Sequence, residues 1–145
     1  MAKKTSKGAM SLRLQVDGLD ELLEKAKTAG ANIDSAIQSA LERSASIVRA
    51  SMMAGAMRHE RTGEVVDAIE AQPVVIDENG RYVVEVGVDV DAHPDALHAM
   101  YQEYGDKHSP GFPDPFSDPA FRQNQAKIKA LQRRIIERAI KEALG

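Results

Sequence analysis

The chain has 145 residues, 4% aromatic and 28% charged side chains, no cysteine and a formal net charge of -3. That length suits one domain able to bury roughly two-thirds of its unfolded surface without staples. Zero cysteines exclude disulfides and thiolate metal sites.

The charge is segregated. Residues 1–59 carry nine Lys/Arg against six Asp/Glu, residues 60–118 three against fourteen, and residues 119–145 seven against two. Acidic and basic surfaces of that kind can pair head to tail between copies of a chain. The opening "MAKKTSKGAMS" has basic residues but no apolar stretch behind it, so it does not read as a secretory signal. No run approaches the roughly 18 apolar residues of a membrane helix. A soluble, unexported protein is expected, with residues 1–10 as a flexible basic tail and 11–145 as a single domain.

In chain order, "LRLQVDG" alternates: Leu12, Leu14 and Val16 face one way, Arg13 and Gln15 the other, and Asp17-Gly18 closes the strand with a turn. From Leu19 the period becomes helical through Leu22, Leu23 and Ala26, is interrupted by "TAG" at 28–30, and resumes through Ile33, Ile37, Leu41, Val48 and Met52 to about Gly55. One bent helix and a helix pair both fit. "VVDAIEAQPVVI" (65–76) reads as strand, with Pro73 demanding an edge or a bulge. "DENG" (77–80) is the strongest hairpin signal in the chain, because Asn79-Gly80 tolerates positive φ. The returning strand "RYVVEVGV" puts Tyr82, Val84, Val86 and Val88 on one face. A short helix is expected over 95–104, ended by Gly105. A long one starts at Ser117 as N-cap, with an apolar stripe of Phe121, Ile128, Leu131, Ile135 and Ala139, and Ile136 and Ile140 alongside. The fold class is therefore α+β: a small antiparallel sheet packed against long N-terminal and C-terminal helices.

Five of the six aromatic residues fall within 101–121, which also holds four prolines and two glycines. Proline lowers the entropy of an irregular segment and aromatics supply buried area where regular packing is absent. Tyr101, Tyr104, Phe116 and Phe121 are expected to clamp the segment between the sheet and the last helix, and Phe112 to reach a partner; the other reading is that all five are simply core, and it is the favoured one for Phe116 and Phe121.

Chemistry is sparse. None of His59, His93, His98 and His108 pairs with another at helical zinc spacing. Asp89, Asp91, His93 and Asp95 alternate, so on a strand they would share a face that could meet a divalent cation, but the calcium-loop glycine and glutamate are missing. Ser109 beside His108 is too close in sequence to orient as nucleophile and base. There is no phosphate loop, nucleophile elbow or metalloprotease motif, so no catalytic residue, cofactor or metal is assigned. Arg133, Arg134, Arg138 and Lys141 form a basic helix face, interrupted by Glu137 and Glu142. It leaves a small nucleic-acid-binding or regulatory module as the alternative function.

The succession of signals is similar to a known one. Gly18-Leu19; Thr62-Gly63 followed by Ile69; Tyr101 with Glu103-Tyr104-Gly105; and Pro115-Phe116 with Pro119-Ala120 stand in an order that resembles the head–tail joining proteins of long-tailed bacteriophages, the gene-product-ten-like tail-component family. The chain departs from that pattern at "RHE" before Thr62, at Glu64-Val65 and at Asp106. The resemblance implies a compact α+β protomer of the virion neck, assembled in the host cytoplasm without a catalytic role. It would form a homo-oligomeric ring, six-fold by analogy with tail tubes. The partners implied are a portal-bound adaptor or head-completion protein and a tail terminator or tube protein. DNA would pass through without specific binding, and no membrane is involved. Interface candidates are Tyr101, Glu103, Tyr104, Phe112, Pro115, Phe116, Arg133, Arg134 and Arg138; candidates for an acidic channel lining are Glu85, Asp89, Asp91 and Asp95.

Overall fold

The computed structural model describes residues 2–3, 9–59, 63–105 and 113–145. The order of elements is β1 (Ala2–Lys3), β2 (Ala9–Leu14), α1 (Asp20–Thr28), α2 (Asp34–Ala56), α3 (Glu64–Ala68), β3 (Glu70–Ala71), β4 (Val75–Ile76), β5 (Tyr82–Asp89), α4 (His98–Tyr104) and α5 (Ser117–Ala143). Short 3₁₀ turns at Met57–His59 and Pro94–Ala96 lead out of α2 and into α4. The architecture is α+β.

The sheet is antiparallel in the order β1-β2-β5-β3, with β4 also on β5. Leu12 lies opposite Val86 and Leu14 opposite Val84, so the apolar phases of β2 and β5 coincide. Against that face α2 lays Leu41, Ala45, Val48 and Met52, each 1% exposed or less. Each large side chain among them contributes roughly 1.5–3 kcal/mol by leaving water. β2 starts at Ala9, three residues before the alternation that marks it in the sequence.

Pro73 sits at a bulge. Ala71 pairs with Val86 and Val75 with Val83, so three residues on the proline side, 72–74, oppose only two on β5, 84–85. The missing amide of Pro73 thus falls where the ladder is already broken. In the hairpin turn, Asp77 Oδ1 accepts the backbone N–H of Asn79 and of Arg81, both at 2.9 Å, and Gly80 takes φ 79°.

The two N-terminal segments are separate helices. The amide of Ala31 donates to the Ala26 carbonyl (2.9 Å) and that of Gly30 to Lys27 (3.1 Å), with Gly30 at φ 75°. This is a Schellman ending, which only a residue tolerant of positive φ completes cheaply.

The expected strand over 65–76 is corrected at its start, where residues 64–68 are helical. Gly63, at φ 84°, is the N-cap of α3, and its carbonyl accepts the Asp67 amide (2.8 Å). Val65 and Ala68, one helical turn apart, then both reach the core at 2% and 4% exposure. Burial of this face overrides the strand preference of the two valines.

α5 runs antiparallel across α2, and its buried face is Ala120, Ile128, Gln132, Ile136 and Ile140. Leu131, Ile135 and Ala139 flank that face and are half-buried, so the centre of the expected stripe shifts toward its Ile136 and Ile140 side. The inward glutamine explains the shift: Gln132 Nε2 donates to Ser44 Oγ (3.1 Å), and that hydroxyl donates to the Ala40 carbonyl (2.7 Å). Further along, Asn124 Nδ2 donates to Ser51 Oγ (2.7 Å), so two polar rungs fix the register of the helix pair. A second apolar cluster joins Leu19, Ala26 and Ile33 to Ile136 and Ile140, tying α1 to the end of α5.

Candidate interaction surfaces

Residues 114–117, which lead into α5, are held by a polar clasp assembled from three distant parts of the chain. α4 turns Ala99, Gln102 and Glu103 inward, at 0%, 3% and 7% exposure. Gln102 Nε2 donates to the Gly55 carbonyl (3.0 Å) at the end of α2, while the Gln102 carbonyl accepts the Asp114 amide (2.8 Å). Arg58 grips Asp114 through two hydrogen bonds of 2.8 Å and donates to the Pro115 carbonyl (3.1 Å). Both partners of that ion pair remain partly solvated, so its worth is at most about 1 kcal/mol.

Glu103 is the central member. Its Oε1 accepts the backbone N–H of Phe116 (3.1 Å) and of Ser117 (2.9 Å), at the start of α5. The first amides of a helix have no partner within it, and a carboxylate there also meets the positive end of the helix dipole. This corrects the expected cap. Phe116, rather than Ser117, occupies the N-cap position, and the Ser117 hydroxyl is buried without a hydrogen-bond partner among the described residues. Phe116 itself is 1% exposed and seals the clasp against α2, where a Cβ on Gly55 would come within 2.7 Å of the Phe116 Cβ.

The aromatic clamp is therefore half of what was expected. Phe116 is buried and Phe121 half-buried against the core. Tyr101 and Tyr104 point outward, at 36% and 49% exposure, because α4 spends its inner positions on Ala99, Gln102 and Glu103. With Leu97, 44% exposed, they form an outer stripe at i, i+4 and i+7. His98 meets Tyr101 edge-on at 6.1 Å. Partial burial, followed by the charges of Glu103 and Asp118, pushes the Tyr104 phenol above its ordinary range. Val75 and Ile76, at 55% and 60% exposure, are a second exposed apolar pair, on the hairpin. Pro115 is half-buried within the clasp, and Phe112 lies outside the described residues.

The basic candidates divide. Arg133 pairs with Glu137 (3.4 Å) and Arg138 with Glu142 (3.2 Å), each one turn along α5. Arg134 is exposed and has no such partner among the described residues. Of the acidic candidates, Glu85 and Asp89 lie four residues apart on one face of β5. Glu85 is half-buried opposite Arg13 across the β2–β5 ladder. Asp89 is exposed and ends β5, its Oδ1 accepting the amides of Asp91 (3.0 Å) and Ala92 (3.3 Å). The strand stops there, so Asp91, His93 and Asp95 do not continue its alternation onto one face as expected. Asp91 is exposed in the turn, and His93 leans on Glu70 (3.5 Å). The backbone of Asp95 lies in the 3₁₀ turn. Among the described residues no group of three or more His, Asp or Glu is placed to hold a metal ion. No described helix is long and apolar enough to cross a membrane.

The sequence showed no sign of Arg58, Gln102 and Asp114 as members of the clasp. Each looks like an ordinary surface residue until the chain brings positions up to 56 apart together.

No curated protein and no solved structure matches the chain. A family model described as "Bacteriophage HK97-gp10, putative tail-component" matches residues 20–105, from the start of α1 to the glycine that ends α4. The matched stretch contains α1, α2, the α3–β5 segment and the clasp residues Arg58, Gln102 and Glu103. It covers more than half of the chain, which therefore belongs to the HK97-gp10-like tail-component family of bacteriophage proteins.

Proposed function

We propose that the chain is a structural protomer of the phage head–tail connector, a neck or tail-completion component with no enzymatic role. Copies of it form a ring, six-fold in the virion, around the path of the DNA. The ring joins a portal-bound adaptor or head-completion protein on one side to a tail terminator or tube protein on the other.

Beyond family membership, the observation that carries this reading is the outer face of α4. Leu97, Tyr101 and Tyr104 are exposed on a helix whose inner face is fixed by buried hydrogen bonds. Rigidly presented tyrosines are suited to protein contact, because they bury large area at small entropic cost. The clasp at Arg58, Glu103, Asp114 and Pro115 holds that face and the start of α5 as one unit. Exposed carboxylates at Asp89 and Asp91, with Glu85 and Asp95, suit a lining that repels phosphate, so DNA slides without being retained.

The test is assembly. Light scattering and negative-stain imaging of the protein, alone and mixed with the tail-tube or adaptor protein of its virion, should yield rings of uniform diameter with a central hole. Changing both Tyr101 and Tyr104 to Glu should abolish the mixed complex while leaving the fold intact by circular dichroism. A two-fold dimer in every mixture would sink the ring reading.

A further inference from the structure

α5 leaves one long face uncovered. Lys127, Arg134 and Lys141 recur every seven residues on the side away from the buried Ile128, Gln132, Ile136 and Ile140. Seven residues are nearly two helical turns, so the three cations form a stripe about 21 Å long. The other arginines of α5 are neutralised within the helix: Arg122 by Asp118, Arg133 by Glu137 and Arg138 by Glu142. The three stripe cations meet no carboxylate among the described residues.

The complement lies at the other side of the same molecule. α5 packs on α2 and crosses β2, whereas α3 and β3 occupy the opposite edge of the sheet, beyond β5. There Glu64 and Asp67 share the outer side of α3, Glu70 follows at the start of β3, and all three are exposed. No Lys or Arg lies between Gly63 and Gly80, and among the described residues none pairs with these three carboxylates; His93 alone leans on Glu70 (3.5 Å).

We infer that the Lys127/Arg134/Lys141 stripe of α5 docks on the Glu64/Asp67/Glu70 edge of a second copy of this chain. The inference rests on the ring reading and names the surfaces that close it. Two different, oppositely charged patches on different sides of one protomer make a heterologous contact, the kind that builds rings rather than two-fold dimers. Complementary charge of this kind steers the approach of a neighbour and fixes the register of the contact, and pairs partly buried in it are screened less by salt than exposed ones.

Charge reversal tests it in the full-length chain. One variant carries Lys127→Glu, Arg134→Glu and Lys141→Glu; a second carries Glu64→Lys, Asp67→Lys and Glu70→Lys; a third carries all six. Each is checked for fold by circular dichroism, then chemically cross-linked in the assembly mixture with the virion's adaptor or tube protein. The first and second should each lose the cross-linked ladder seen for the unmodified chain. The third should regain it, as should a mixture of the first two, since a reversed face then meets a reversed partner. If the unmodified chain forms a ladder that either triple reversal leaves unchanged, or that the six-fold variant fails to recover, the docking surfaces are wrong while the ring stands. If the basic reversal instead abolishes retention of duplex DNA and leaves the ladder intact, the stripe is a phosphate contact and the inference falls. If the unmodified chain forms no ladder in any mixture, the ring reading falls with it.

Discussion

Replacing Glu103 probes the clasp at its centre. The carboxylate is 7% exposed, and one oxygen, Oε1, accepts both the Phe116 and the Ser117 amides. Glu103→Ala removes that acceptor and leaves two N–H groups unpaired in a buried helix start. An unsatisfied buried donor costs about 1–3 kcal/mol, and loss of a helix cap by itself costs about 0.5–2 kcal/mol. These describe overlapping effects, so the expected loss is roughly 2–4 kcal/mol, or a fall in Tm of roughly 5–15 °C at this chain length. Glu103→Gln keeps a side-chain oxygen where Oε1 sits and gives up only the charge at the helix N-terminus, which is worth about 0.3–1 kcal/mol. Urea denaturation followed by circular dichroism would measure both variants against the parent. A large gap between Ala and Gln is the signature of hydrogen bonds; equal losses would refute the capping account in favour of a purely charge-based one. An Ala variant within about 0.5 kcal/mol of the parent would mean that neither operates. The result also decides what Glu103 contributes to assembly, because a side chain this buried acts on a neighbour only by holding Tyr101 and Tyr104 in place.

Two further outcomes follow from close geometry. Gly55→Ala should destabilise by about 1–2 kcal/mol: the new Cβ would sit 2.7 Å from the Phe116 Cβ, and overpacking of about 1–3 kcal/mol outweighs the better helix propensity of alanine. A neutral or stabilised variant in thermal unfolding would show that α2 and the start of α5 can part freely. The Asp77 carboxyl is held below its usual range, chiefly by the Arg81 amide and then, against partial desolvation, by the Asn79 amide and the charges of Arg13 and Arg81. A depressed folded-state pKa gives stability that is present above the ordinary value of about 4 and lost as pH falls through the lower one. Asp77→Asn retains an acceptor oxygen but cannot titrate, so the parent's advantage over it should shrink on acidification below about pH 4. A stability difference constant from pH 7 down to the acid limit would contradict this.

Much of the fold follows from local chemistry that the sequence states outright. Alternation fixes β2 and β5 because side chains two apart share a face, and Asn79-Gly80 fixes the hairpin because few residues accept positive φ. Gly30 and Gly105 end α1 and α4 for the same reason, although only the bonds made by Ala31 and Gly30 show that α1 and α2 are two helices. The Thr62-Gly63, Tyr101 and Glu103-Tyr104-Gly105 signals lie within the stretch that the family model matches. What the tertiary structure decided are the features that depend on partners far apart in the chain. Val65 and Val66 lie in a helix despite their strand preference, because the core needs Val65 and Ala68 on one side. Gln132 turns inward because Ser44 waits on α2, and this shifts the centre of the apolar stripe of α5 toward Ile136 and Ile140. Tyr101 and Tyr104 face outward because Glu103 is drawn in to cap a helix that begins 14 residues later. Hydrophobic periodicity reports how a segment wants to lie on an apolar surface. It carries no information about which buried polar group will find a partner, and here those pairings set the centre of the α5 stripe and the outer face of α4.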